Sequence, residues 1–196
     1  VQTVIVPILF GDDDENQAIR ETCETIQGRL EDTGVSTKID DSDERPGWKY
    51  NHWEMKGVPT RIEIGPRDIA DDACVVANRF GDKETHDVSE VTNAVHDELQ
   101  SVDATIKERA ETYFDDNTVY TEDYDELQDI IGDFEGFVKA PFYDIEGDEA
   151  ERYAEQLQED TDGAYVCGVR EGESEVDGKE CVVSGKPASH VVYIAK

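Results

Sequence analysis

The first half of the chain alternates between apolar runs typical of strands and apolar stripes typical of helices. Residues 1–9 form a β-branched apolar run and predict a buried strand. The stripe at positions 19, 23, 26 and 30 predicts a helix over residues 16–32, which Gly34 ends. Shorter runs predict further strands over residues 35–40, 58–64, 73–79 and 84–88.

Two further helices complete this half. Pro46 and Gly47 precede a short helix predicted over residues 48–56. Ser89 is the predicted N-cap of a long helix that reaches about Phe114. Its apolar stripe comprises Val91, Val95, Leu99, Val102 and Ile106. Strands alternating with helices predict an α/β fold of three layers, with a mixed five-stranded sheet flanked by helices.

The second half of the chain has a different pattern, which predicts a small α+β domain. Helices are predicted over residues 124–134 and 148–158, and strands over residues 136–142, 164–169 and 191–195. Residues 171–179 form a predicted Gly-rich acidic loop. We expect the boundary between positions 103 and 120, and divide the chain into residues 1–105 and 106–196.

The composition adds an unusual charge to this picture. The chain carries 49 acidic and 18 basic side chains, a formal net charge of −31. The acids are spread evenly and apolar periodicity survives between them, which indicates a folded protein with an acidic surface. Such a surface suits either a function that binds cations or basic partners, or life in molar salt. The even spread favours salt, and therefore a salt-accumulating microbe.

The sequence also indicates where in the cell the protein is located. Its four cysteines are scattered, without a C-x-x-C pair, which favours reduced thiols in a cytoplasm. No apolar run approaches the ~20 residues of a membrane span, so we expect no membrane association. Because the chain begins within an apolar run and has no initiating methionine, we expect it to be a piece of a longer protein.

One segment has a positive local charge, unlike the strongly acidic chain as a whole. Residues 45–67 hold five basic and two acidic side chains, a local charge of +3, and both tryptophans, Trp48 and Trp53. Tyr50 and His52 lie in the same segment. Aromatic rings that stack on bases, interleaved with basic groups that hold phosphates and base edges, are typical of surfaces for single-stranded nucleic acid. The alternative is that the tryptophans only anchor a short helix to the sheet.

Residues 43–68, D-E-R-P-G-W-K-Y-N-H-W-E-M-K-G-V-P-T-R-I-E-I-G-P-R-D, resemble a known family. They are similar to the anticodon-binding domain of class II prolyl-tRNA synthetases of the archaeal and eukaryote-like type. The resemblance continues at G-D-K-E-T (81–85), G-F-V-K-A-P-F (136–142), C-V-V-S-G-K-P (181–187) and the final V-V-Y-I-A-K. It therefore covers essentially the whole chain, and it adds a halophilic archaeon as the expected source.

The resemblance implies that the chain recognises the proline tRNA anticodon, which ends in two guanines. A carboxylate can accept from the donors on the Watson–Crick edge of guanine, and a cation can donate to N7 and O6. The implied contact residues are Glu54, Arg61, Arg67, Asp68 and Lys83, with Tyr50 for stacking and Trp48 and Lys56 beside them. Glu54 could instead be a helix partner. We expect Glu63 to be a solvent-facing strand residue.

The resemblance also bears on metals and cofactors. The family's second domain holds zinc through a C-x4-C and a C-x2-C pair, which correspond here to Tyr143, Asp148, Cys181 and Ser184. One thiolate cannot hold structural zinc, so we expect no metal. The second domain should then depend on packing of apolar and aromatic side chains, namely Phe137, Phe142, Tyr153, Leu157, Val166 and Tyr193.

Catalysis is expected elsewhere. In the family the catalytic domain, with its ATP, Mg²⁺ and proline sites, lies upstream, so we expect no catalytic residue and no cofactor in this chain. Family members of this type are homodimers through that domain, which leaves the oligomeric state of this chain open. We expect the parent protein to be a cytoplasmic proline–tRNA ligase.

The sequence leaves two alternative functions to compare. A copy of this fold separated from its catalytic domain could be an accessory RNA-binding protein, and upstream class II motifs would distinguish the two. A small-molecule α/β enzyme is disfavoured, because no G-x-G-x-x-G or P-loop follows the first strand. The loop there is Gly11 followed by four acids, which would repel phosphate.

Overall fold

The computed structural model describes residues 1–10, 12–133, 135–173 and 176–196. The chain forms two compact units, Val1–Glu108 and Arg109–Lys196, and each is treated by itself. Within the described ranges, no helix combines the length and apolarity needed to cross a membrane. Three predicted features reach outside these ranges: Gly11 after the first strand, Phe134 at a helix end, and residues 174 and 175 in the acidic loop.

The first unit follows the predicted order of strands and helices. Its elements are β1 (Thr3–Pro7), α1 (Asp13–Asp32), β2 (Thr37–Ile39), α2 (Pro46–Met55), β3 (Thr60–Ile64), α3 (Pro66–Ala70), β4 (Ala73–Asn78), β5 (Lys83–Asp87) and the start of α4 (Val91–Asp116). The five-residue helix α3 was not predicted, because a single turn carries no apolar period.

The five strands form one mixed sheet in the order β2-β1-β3-β4-β5. β1 runs parallel to β2 and β3, whereas β4 is antiparallel to both of its neighbours. Ile5, Ile62 and Ile64 face α1 and α4 in the larger core, and Val4 and Val6 pack with Trp53 of α2 on the opposite face. The predicted three-layer arrangement and the mixed five-stranded sheet are confirmed.

Two helix starts differ from the predicted positions. α1 begins three residues early because Asp12 and Glu15 form a capping box, in which each carboxylate accepts from the other residue's backbone N–H. α4 begins at Val91 rather than directly after Ser89. Val91, Val95 and Val102 of its stripe are buried, but Ile106 is 41% exposed, so the predicted stripe is one residue too long.

The second unit contains a four-stranded sheet in the order β6-β7-β9-β8. Its elements are β6 (Thr118–Tyr120), α5 (Tyr124–Asp133), β7 (Phe137–Phe142), α6 (Asp148–Asp160), β8 (Tyr165–Gly168) and β9 (His190–Ala195). The three-residue strand β6 was not predicted. β6 and β7 are parallel and the other pairs antiparallel. Phe142 and Leu157 are in the core, as expected, and Tyr193 packs against Phe114 and Phe137.

Candidate nucleic-acid interface

The buried carboxylate of Glu63 lies at the centre of the positive segment. Its Oε1 accepts from Arg61 Nε at 2.8 Å and from Lys83 Nζ at 2.6 Å. Arg61 Nη1 also donates to Glu54 Oε1. With Tyr50, whose ring lies against both cations, these side chains form what we name the Glu63 cluster: Tyr50, Glu54, Arg61, Glu63 and Lys83. It joins α2, β3 and β5.

The strand period explains why Arg61 and Glu63 meet. Side chains two apart on a strand share a face, and Ile62 and Ile64 already face α1 and α4. Arg61 and Glu63 therefore lie on the face that α2 covers. The register places Ala77 opposite Arg61 and Lys83 opposite Ala77, so Lys83 projects onto the same face across a small residue.

Burial divides the Glu63 cluster into an inner and an outer part. The side chains of Arg61 and Glu63 are only 7% and 10% exposed, whereas those of Glu54 and Lys83 are 37% and 43% exposed. Four charges of alternating sign thus run from Glu54 through Arg61 and Glu63 to Lys83. The cluster presents a carboxylate acceptor and an ammonium donor to a ligand, while the two groups that hold them stay covered.

The electrostatics keep Glu63 ionised. Burial acts to raise the pKa of its carboxyl, but the hydrogen bonds and charges of Lys83 and Arg61 outweigh burial and hold the pKa below its ordinary value. A carboxylate with two cationic donors is stable in this position although it is removed from water. We find the expectation of a solvent-facing Glu63 to be wrong. The opposite charges at positions 61 and 63 of one strand were the signal that could have revealed the pair.

The ring of Tyr50 packs against the two cations of the Glu63 cluster. Arg61 Cζ lies 4.4 Å and Lys83 Nζ 5.1 Å from the centre of its ring. Both distances are within the range of cation–π attraction. Burial raises the pKa of the Tyr50 hydroxyl well above its ordinary value, and the charge of Glu63 and a hydrogen bond to it add to the rise. Tyr50 therefore stays neutral, and its ring is fixed by the two cations.

A second buried set attaches α2 to the sheet. Trp53 Nε1 donates to Asp40 Oδ2 at 2.7 Å, and Lys49 Nζ donates to the Asp40 carbonyl at 2.8 Å. Burial acts to raise the pKa of Asp40, but hydrogen bonds from Ser42 and Trp53 and the charge of Lys49 lower it overall. For Trp53, the anchoring alternative is therefore the one that the structure supports.

Arg67 and Asp68 lie on α3, directly after β3. Asp68 Oδ2 accepts from the backbone N–H of Gly65 at 2.7 Å and contributes to the raised pKa of Tyr50. Arg67 is exposed, and its side chain has no hydrogen bond or ion pair with any residue that the structure describes. Among the predicted contact residues, Arg67 is thus a cation open to a phosphate or a base.

Trp48 and Lys56 are not brought together with the Glu63 cluster. Trp48 stacks on His52 with ring centres 4.6 Å apart, and residues four apart share a helix face. Tyr50 and Glu54 form a different face of α2. Lys56 Nζ lies 4.9 Å from the centre of the Trp53 ring. Trp48 is half exposed, so it can still stack on a ligand, but on a separate surface.

The four positions that the sequence resemblance relates to zinc ligands, Tyr143, Asp148, Cys181 and Ser184, do not supply the thiolates of a structural zinc site. Only Cys181 is a thiol, and it is buried. Tyr143 instead packs edge-on against Tyr153, with Lys186 Nζ 5.1 Å from its ring centre and 2.8 Å from Glu149 Oε1. No group of three or more His, Cys, Asp or Glu side chains suited to a metal occurs among the described residues. The absence of zinc stays a prediction.

A known family matches the part of the chain that contains this candidate site. A family model described as "Anticodon binding domain" matches residues 2–98. This part of the chain belongs to the anticodon-binding domain family. The match contains the whole Glu63 cluster together with α3.

Curated proteins similar to this chain include proline–tRNA ligases. The whole chain is 33% identical to the chloroplastic and mitochondrial enzyme of Arabidopsis thaliana and 34% identical to the enzyme of Salinibacter ruber. It spans 36% and 39% of these two relatives. A solved structure, Giardia lamblia prolyl-tRNA synthetase in complex with prolyl-adenylate, is 30% identical with a TM-score of 0.79. The match covers all of this chain and 42% of the Giardia lamblia chain. The resemblance to prolyl-tRNA synthetases is confirmed.

Proposed function

We propose that this chain is the anticodon-recognising part of a proline–tRNA ligase and binds the guanines of the proline tRNA anticodon. The observation that carries the proposal is the Glu63 cluster, within the region that matches the anticodon-binding family. It presents one acceptor, Glu54, and one donor, Lys83, beside an aromatic ring. Guanine has donors at N1 and N2 and acceptors at O6 and N7, so it complements both groups.

Each contact residue receives a role in this proposal. Glu54 accepts from the donor edge of a guanine, and Lys83 donates to an acceptor of the same or the next base. Arg61 is buried and acts chiefly by holding Glu54. Arg67 contacts a phosphate or a second base, and Asp68 accepts near Tyr50. Unpaired anticodon bases lie against the sheet face beside α2, which selects the tRNA for aminoacylation elsewhere in the parent protein.

Trp48 and Lys56 remain proposed tRNA contacts of a different kind. Trp48 on α2 and Lys56 directly after α2 are not part of the Glu63 cluster, so they would touch the backbone or a neighbouring nucleotide of the anticodon loop. Stacking on an exposed tryptophan is tolerant of base identity. We therefore assign them to affinity rather than to the preference for guanine.

The proposal extends to the parent protein, its reaction and its source. The parent protein attaches proline to its tRNA with ATP and Mg²⁺ in a domain that this chain does not contain, and no cofactor or zinc is proposed here. We propose an archaeal and eukaryote-like enzyme, a cytoplasmic homodimer from a halophilic archaeon. The dense acidic surface supports molar salt. Similarity to proline–tRNA ligases along the entire chain favours this function over a separate accessory RNA-binding protein.

The test compares binding of the chain to a proline tRNA transcript and to one whose two anticodon guanines are replaced by adenines. Glu54→Ala should weaken binding to the first by about 1–3 kcal/mol, the range for one lost base contact. Glu84→Ala, at an exposed carboxylate on β5, is the control and should change little. Equal binding of the two transcripts by the unmodified chain would refute the proposed function.

A further inference from the structure

Glu63 has two cationic partners, whereas a simple ion pair has one. One carboxylate oxygen, Oε1, receives both Arg61 Nε and Lys83 Nζ, and these donors come from different strands. Arg61 in turn holds Glu54, which belongs to α2. Through these contacts a single buried group fixes side chains on three separate elements. Two of those side chains, Glu54 and Lys83, are the exposed polar groups of the cluster.

The geometry leaves little freedom to Arg61. A guanidinium has five donors in a rigid plane, and bonds to carboxylates on two sides fix both its position and its rotation. Glu63 holds the Nε side and Glu54 the Nη1 side. The ring of Tyr50, 4.4 Å away, restricts the remaining motion. The position of the Glu54 carboxylate is therefore set by Arg61, and that of Arg61 by Glu63.

Lys83 depends on Glu63 even more directly. β5 is an edge strand, and its residues are mostly exposed. A lysine in such a place has a flexible four-carbon stem and a mobile ammonium. The 2.6 Å bond to Glu63 and the face of Tyr50 hold this ammonium against the sheet. Removal of the Glu63 charge would release it to solvent.

We propose that Glu63, which does not itself need to touch RNA, is the positioning residue that sets the preference of this surface for guanine. It holds Lys83 directly and Glu54 through Arg61, so that donor and acceptor stand at fixed places before the base arrives. Pre-ordered groups discriminate between bases because a wrong base leaves them unpaired. This inference rests on the function proposed above.

A positioning role for Glu63 and a purely electrostatic role predict different changes in RNA binding when its charge is removed. Glu63→Gln keeps the size of the side chain but removes one negative charge next to the ligand. If charge alone mattered, every RNA would bind more tightly to the variant. If Glu63 positions the reading groups, the variant loses about tenfold to a hundredfold in its preference for the guanine anticodon, the range for one bidentate base contact. Its affinity for the adenine transcript should stay equal or increase.

The experiment measures binding of both transcripts to the unmodified chain, to Glu63→Gln and to a matched control, Glu84→Gln. Glu84 neighbours Lys83 on β5, and its side chain is 80% exposed, so the control removes the same charge without touching the cluster. We expect the control to keep the preference of the unmodified chain. Thermal unfolding followed by circular dichroism ensures that each protein is measured in its folded state.

The possible outcomes separate the two proposals. If the unmodified chain prefers guanine and Glu63→Gln keeps that preference within about twofold, the positioning role is wrong although the proposed function stands. If the unmodified chain has no preference, the proposed function fails, and the inference with it. Should Glu63→Gln not fold, Glu63→Asp serves instead. It keeps the charge but draws the carboxylate back by one methylene, and we expect it to lose preference at unchanged net charge.

Discussion

Arg61 Nε lies 2.8 Å from Glu63 Oε1, and both side chains are buried on the sheet face that α2 covers. The pair links the fold to the function proposed for it. It is part of the packing between α2 and β3, and it also holds the two exposed polar groups of the cluster, Glu54 and Lys83. Substitutions in the Glu63 cluster are therefore expected to change both stability and binding, and these effects have to be measured separately.

Replacing Arg61 should lower the stability of the fold much more than replacing Arg67. Arg61→Ala leaves two carboxylates without their shared partner, one of them buried, and should lower the free energy of unfolding by about 3–5 kcal/mol. Arg67→Ala removes an exposed cation and should change it by less than about 0.5 kcal/mol. Denaturant unfolding measures both values. A loss from Arg67→Ala as large as that from Arg61→Ala would contradict the burial described here.

The two tryptophans offer a second matched comparison. Trp53→Phe removes the Nε1 donor of a buried hydrogen bond to the Asp40 carboxylate, which should cost about 1.5–3 kcal/mol of stability. Trp48→Phe changes a half-exposed ring and should stay within about 0.5 kcal/mol. Equal effects in the two variants, measured by thermal unfolding, would show that Trp53 is not the anchor of α2.

Acid should destabilise the first unit through two carboxyls. The pKa values of Glu63 and Asp40 are lowered in the folded protein. Their contribution is therefore fully present above the unfolded-chain pKa of about 4, and it is lost as the pH falls through the folded pKa. Glu63→Gln removes one of the two groups and should flatten the fall in unfolding free energy. An identical pH profile for the variant would contradict the ionised, paired state of Glu63.

Zinc should play no part in the second unit. Of the four positions related to zinc ligands, Tyr143, Asp148 and Ser184 lack a thiol, and one thiolate cannot form a tetrahedral structural site. Elemental analysis of the purified chain should find far less than one zinc per molecule, and a chelator should leave the unfolding midpoint unchanged. Stoichiometric zinc, or a midpoint lowered by the chelator, would overturn this expectation.

Much of the architecture could be predicted because it rests on apolar periodicity. The continuous apolar run that contains β1 follows from burial on both faces of the sheet. The stripe of α1 follows from burial of one helix face, and the structure places Ile19, Cys23, Ile26 and Leu30 in the core. The elements that were missed, α3 and β6, have five and three residues. Elements of this length depend on neighbouring strands and loops rather than on any period of their own.

The candidate site was predictable in composition but not in arrangement. Basic and aromatic residues in one segment pointed to the region that contains the Glu63 cluster, and the family resemblance pointed to Glu54, Arg61 and Lys83. Sequence spacing alone could not show that Glu63 is buried, since this depends on α2 covering the face of β3. It also could not separate Trp48 from Tyr50, which lie on different faces of one short helix.

The central claim is that this surface reads the guanines of the proline anticodon by contact chemistry rather than by overall charge. It is tested most directly by binding of the chain to proline tRNA in about 2 M KCl, where the screening length is below ~3 Å. The account predicts that binding persists there and that replacing both anticodon guanines by adenines weakens it by about 1–3 kcal/mol per lost base contact. Equal affinity for the two transcripts would contradict it.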